Sequence, residues 1–168
     1  MAIQQLDELF DYKNQLMEDL LTNSDIVKLI NEDVSVSDAS SLAYTQVFPY
    51  DYIPDTVETD KTLVCFDVDI QGVSNKTYLT PVLYIWVFIH KSKLRLPEGG
   101  VRTDKLCSAI AEEINGSRKY GLCELDLYSV RRYAAMTNFQ GKVMTFYAKD
   151  FNKPYKSDKY TPSNRKRG

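Results

Sequence analysis

Histidine and tryptophan each occur once in the 168-residue chain, as His90 and Trp86. A single histidine excludes a multi-histidine metal site and leaves any imidazole acid/base role to one residue at the end of an apolar run. The three cysteines, Cys65, Cys107 and Cys123, sit in apolar surroundings without C-x-x-C spacing. That pattern predicts buried thiols in a reducing compartment, not a disulfide framework or a zinc set. Long apolar runs are missing as well: the strongest, Val82 to Ile89, covers eight residues, against the roughly 20 that a membrane-spanning helix needs. No basic segment followed by an apolar one opens the sequence, so a secretory signal is not expected. The expectation is a soluble protein made in the cytosol, without contact with a membrane.

Motifs of catalysis are equally scarce. Gly99-Gly100 is followed by Val101-Arg102-Thr103 and not by the Lys-Ser/Thr that closes a phosphate loop. Serines and cysteines show no nucleophile elbow and no Cys-His arrangement. Asp67 and Asp69 alternate along a strand, about 7 Å apart by strand geometry, and such a pair can hold Mg²⁺ or split acid and base roles. They lack a third carboxylate at a recognisable spacing and read as a polar sheet face. The sequence therefore predicts no catalytic residue, no metal and no cofactor.

What the chain has is a strong β core and a charge gradient. Hydrophobic residues make up 43% and charged residues 26%, which suits one globular domain with a sizeable core. Net charge is only -2, but residues 1–60 carry 13 acidic and 2 basic groups, residues 61–152 carry 9 and 13, and residues 153–168 carry 1 and 6. Opposite charge at the two ends suits packing against copies or neighbours.

The run Leu83-Tyr84-Ile85-Trp86-Val87-Phe88-Ile89 reads as a strand covered on both sides. Leu63 to Ile70 alternates before it, and Gly72 to Lys76 turns the chain back, so residues 63–90 are expected to form a long hairpin. Apolar residues from Leu6 to Leu21, Phe10 among them, predict an amphipathic helix over 3–21, and Ser24 a short capped helix over 25–30. Thr103 is expected to cap a helix from Asp104 to Ile114, stopped by Asn115-Gly116. Two further strands follow, over Leu122–Tyr133 and up to Asp150, joined by a turn at Thr137-Asn138. The expected fold is α+β: a mostly antiparallel four-stranded sheet with helices packed on one face, within a single domain of residues 1–152. Residues 31–60 form a long aromatic arm or loop, and residues 153–168 an extended basic C-terminal tail.

The face without helices cannot stay bare, because Tyr84, Trp86, Phe88, Met144 and Phe146 would form a broad exposed patch. A second copy or a cover from residues 42–54 would each solve this. Tyr44, Phe48, Tyr50 and Tyr52 are candidate arm contacts, and Arg131 and Arg132 candidate inter-subunit ion pairs. Lys91, Lys93 and Arg95 mark a basic loop. The tail adds Lys153, Lys156, Lys159, Arg165, Lys166 and Arg167. These cations, with Tyr155 and Tyr160, suit passive contact with nucleic acid, but no reading module accompanies them.

The N-terminal helical segment, the hairpin at 63–90, the loop at 91–100 leading into the next helix and the two closing strands together resemble the tail terminator and related head-to-tail joining proteins of long-tailed bacteriophages. The resemblance covers residues 3–151 and is one of architecture, without a diagnostic motif. It implies a virion structural protein, assembled in the host cytoplasm, that forms a ring, commonly hexameric, at the neck. Implied partners are further copies of itself, the tail tube protein, the head connector or stopper, and the sheath if the tail contracts. Lys91, Lys93 and Arg95 would then face the channel or the tube, with only passive contact to transiting DNA. The long aromatic segment and the basic tail depart from the simplest family pattern and leave open another neck component, a connector stopper or tail-completion adaptor. A cellular α+β binding or adaptor protein is the reading outside this class, and a hydrolase using Asp67, Asp69 and His90 a third.

Overall fold

A computed structural model describes residues 7–52, 60–74 and 78–151. Its centre is the hairpin of β2 (Thr62–Ser74) and β3 (Tyr78–His90). Register runs from Thr62 opposite Ile89 to Ser74 opposite Tyr78, with a shift between Ile70 and Val73 that kinks the far end. On the other side of β3 lies β5 (Phe139–Tyr147), antiparallel, and beyond it β4 (Asp126–Met136) forms the edge. β-Branched and aromatic residues fill β3 because it has a neighbour along both edges and side chains packed on both faces.

The sheet is mostly antiparallel, as expected, but it is not limited to four strands. β1 (Val47–Phe48) pairs parallel with Val64 and Cys65 of β2, and β6 (Asp150–Phe151) pairs with Tyr78 and Leu79 of β3. Two residues cannot display a period of two, so neither piece carries a signal of its own; the neighbouring strand imposes the extended conformation.

Helices gather on one face. α1 (Asp7–Thr22) buries Tyr12, Leu16 and Leu20, which recur every four residues on one stripe. α2 (Ser24–Ile30) buries Ile26, Val27 and Ile30, and α3 (Arg102–Ile114) buries Leu106, Cys107, Ile110 and Ile114. Against them stand Val64, Phe66 and Val68 of β2, Leu83, Ile85, Val87 and Ile89 of β3, and Met144 and Phe146 of β5. Met144 and Phe146 thus belong to the helix side and not to the open face: Met144 lies opposite Ile85 and Phe146 opposite Leu83. Paired residues in antiparallel strands point the same way, so the register decides the face.

Two caps differ from expectation. Asn23, not Ser24, opens α2: its side-chain oxygen accepts from the N–H of Asp25 at 3.0 Å and of Ile26 at 3.1 Å, while its amide donates to Glu113 of α3 at 2.6 Å. One residue therefore joins three helices. α3 starts at Arg102 after Val101, and Thr103 is buried inside the first turn without capping it. Between β3 and α3 a short 3₁₀ turn, Lys91–Lys93, leads to a tight bend in which Gly99 and Gly100 take positive φ, a conformation that costs glycine little. Residues 31–46, expected to lack regular structure, contain a 3₁₀ segment at Val36–Leu42 that buries Ala39 and Leu42.

Candidate functional site

The face opposite the helices divides into two halves. At one end Phe48, Leu63, Cys65, Phe88 and Phe139 form a second buried cluster with Tyr52, Trp86 and Tyr133 at its margin. Tyr52 stacks on Phe48 with ring centres 4.1 Å apart, and the Cys65 thiol donates to the Tyr52 carbonyl at 3.5 Å. The arm therefore covers this half with its own chain. Burial pushes the Cys65 thiol up to about 12 and the Cys107 thiol up to about 11, which makes both poor nucleophiles. Cys123, expected to be buried, is exposed because it lies in the loop before β4.

The other half has no cover among the described residues. Tyr84 and Trp86 of β3, Val143, Thr145 and Tyr147 of β5, and Tyr128, Ser129 and Arg131 of β4 line a shallow groove of about 350 Å³. Tyr128 meets Tyr147 edge to face at 4.8 Å and is still 64% exposed. Tyr84 and Trp86 lie 5.9 Å apart with nearly parallel rings. Arg131 lies opposite Val143, and its side chain makes no hydrogen bond or ion pair among the described residues. Aromatic rings around an unpaired guanidinium have the composition of an interface centre. Desolvation and the charge of Asp69 hold the Tyr84 hydroxyl above its ordinary range.

Five cations, Lys91, Lys93, Arg95, Arg132 and Lys142, lie at the His90 end of the sheet. Lys91, Arg132 and Lys142 border a cleft of about 560 Å³ with Thr103, Asp104 and Phe139. Lys142 pairs with Asp104 at the start of α3. Arg132 lies opposite Lys142, one residue out of step with Arg131, so the two neighbouring arginines serve opposite faces of the sheet. Lys93 and Arg95 are exposed beside the cleft. Their backbone is held by Arg102, 6% exposed, which donates to the carbonyls of Lys93 at 2.9 Å and Leu29 at 3.1 Å and to Glu32 at 2.5 Å. That guanidinium holds the Glu32 carboxyl below its usual range.

The residues weighed for catalysis do not converge. Asp67 and Asp69 pair across the sheet with Tyr84 and Val82, and Asp67 binds Lys13 at 2.6 Å. His90 lies eight residues beyond Val82, about 26 Å along the strand at roughly 3.3 Å per residue. His90 does meet a serine and an aspartate, but on one side only. Ser92 Oγ is 2.8 Å from Nδ1, Asp60 is 3.6 Å from the same nitrogen, and Ser92 also bonds Asp60 directly. A relay needs serine and aspartate on opposite ring nitrogens; this cluster caps the turn after β3. Among the described residues no group of three histidine, cysteine or carboxylate side chains is placed to hold a metal.

Tyr44 and Tyr50 of the arm are exposed, whereas Phe48 is buried and Tyr52 half-buried against the sheet. Lys153, Lys156, Lys159, Arg165, Lys166 and Arg167 lie outside the described residues. Phe10 is the feature that the periodicity concealed. Counted with the apolar stripe of α1, it is 68% exposed, because six residues at about 100° each place it about 120° from Leu16. The helical angle was its only signal. The YomW family model matches residues 9–148. No curated protein matches the chain.

Proposed function

The chain belongs to the YomW family, and from that premise we propose that it is a virion structural protein of a long-tailed bacteriophage neck, a ring-forming tail terminator. It caps the tail tube and joins it to the head connector. The family name points to a phage-derived gene; the place in the neck is our reading of the architecture. Its main support is the uncovered aromatic half of the sheet around Arg131, a surface whose exposure is costly for a free monomer and useful to a subunit.

The mechanism is geometric. A rigid sheet fixes the angle between neighbours, the ring so formed presents one surface to the last tube ring and another to the connector, and DNA passes through the middle with only passive contact. Lys91, Lys93 and Arg95 stand on a braced loop and are assigned to the channel or tube side. The exposed Tyr44 and Tyr50 favour a second reading within the same class, a stopper or completion adaptor whose arm reaches an adjacent protein.

Absolute mass by light scattering coupled to size exclusion, over a concentration series and with the tube protein of the same genome, tests the proposal. A ring near six copies, alone or on adding tube protein, is expected. A monomer that ignores tube protein at every concentration would overturn it and bring the cellular adaptor reading forward.

A further inference from the structure

Two surface features have no counterpart among the described residues. One is the aromatic groove on the open face, with Arg131 at its edge. The other lies on α1, whose face away from the sheet carries the 68% exposed Phe10 beside Asp11, an exposed carboxylate with no ion pair among the described residues. An aromatic ring with an adjacent carboxylate is complementary to an aromatic groove with an adjacent guanidinium: ring meets ring, and the two unpaired charges are opposite.

We propose that the occupant of the groove is α1 of a second copy, with Phe10 inserted between Trp86, Tyr128 and Tyr147 and Asp11 meeting Arg131. The inference rests on the ring reading and names its contact. Because α1 lies on the helix side of the sheet and the groove on the other, the two patches belong to opposite faces of one molecule. Their union is head to tail, and such contacts close into a ring or continue as a filament according to the rotation between neighbours. It also supplies the open face with the layer it lacks: every sheet gains helices on both sides, its own on one and the next copy's α1 on the other. The docking helix is itself acidic, with five carboxylates against one lysine over Asp7–Thr22, which suits a groove edged by an unpaired arginine.

Single variants and their mixture test this. Phe10→Ser removes the inserted ring and keeps the groove; Arg131→Glu spoils the groove and keeps the ring. Both positions are exposed, so both variants should fold, which circular dichroism checks. Each alone is expected to lose the wild-type assembly and run at one-chain mass. Mixed in equal amounts they should form a complex of two chains and no larger, since one intact groove can accept one intact α1 and neither end can propagate. Variants that keep the wild-type mass, or a mixture that stays at one-chain mass, would overturn this contact while leaving the ring reading intact. A wild-type monomer at all concentrations, with and without tube protein, would end both.

Discussion

Asp19 and Tyr120 are 101 positions apart, and their meeting illustrates what single side chains contribute here. Asp19, 4% exposed, accepts from the Tyr120 hydroxyl at 2.8 Å, from Lys119 at 2.6 Å and from Gln15 at 2.9 Å. A buried carboxylate with three donors is satisfied, and it ties α1 to the segment between α3 and β4. Burial and the bond to Asp19 push the Tyr120 hydroxyl well above its usual 10.0. The folded chain therefore holds this proton more tightly than the unfolded one. Its contribution is complete below about pH 10 and is lost as pH rises through the alkaline range, where the unfolded tyrosine ionises first. Thermal unfolding of wild type and Tyr120→Phe between pH 8 and pH 11 should show the variant less stable at pH 8, by about 1.5–3 kcal/mol for the lost bond to a charged acceptor. The variant's melting temperature should also fall less steeply above pH 10. Parallel curves would mean that Tyr120 does not drive the alkaline loss. None of this partnership was legible in the sequence, since neither residue carries a local pattern that names the other.

At the scale of elements, strands and helices were legible where their period was long enough to repeat. β2, β3 and the stripes of α1 and α3 follow from alternation and from spacings of three and four, and the turn at Thr137-Asn138 follows from its residues. The short β1 and β6 were not, and the side on which Met144 points was not, because register is a property of pairs of strands. Gly141 shows how close such a pair can come. A Cβ there would lie 2.8 Å from Phe88 Cδ1, 2.9 Å from the Val87 carbonyl oxygen and 3.0 Å from that of Tyr133. Two of those three neighbours are backbone and cannot step aside. Gly141→Ala is expected to destabilise the chain by about 2 kcal/mol or more through forced separation of β3, β5 and β4, read from urea unfolding midpoints. An unchanged midpoint would mean that the hairpin yields without cost.

Side chains placed by strand register cluster differently at the two ends of β3, whose 13 residues span roughly 40 Å. Asp69, Asp126 and Asp150 lie toward the Tyr78 end, where Tyr12 of α1 bonds Asp150; Lys91, Lys93, Arg95, Arg132 and Lys142 lie toward the His90 end. This arrangement is not the gradient in chain position that the sequence shows: Asp69, Asp126 and Asp150 come from the net basic stretch 61–152, and strand register brings them to one end. The proposed interaction surface was legible only in part. The tyrosines and arginines were visible, but alternation sends Arg131 to the aromatic groove and Arg132 to the cleft, and the arm folds back over half of the face it was expected either to cover or to leave. Reversing charge at Lys91, Lys93 and Arg95 together should leave ring mass unchanged and reduce co-sedimentation with tube protein at least severalfold, more so at low salt. Undiminished co-sedimentation would remove this loop from the tube or channel side.

Arg102 gives that loop a mechanical character. Its guanidinium is fastened at once to the loop after β3, at Lys93, and to the end of α2, at the Leu29 carbonyl and the Glu32 carboxylate, so two stretches about sixty residues apart in sequence hang from one side chain. Neither can swing outward without breaking a bond to the same pin, and removing the pin would release both together. The basic loop is thereby moored to the helices on the back of the sheet, and not only to the strand it follows.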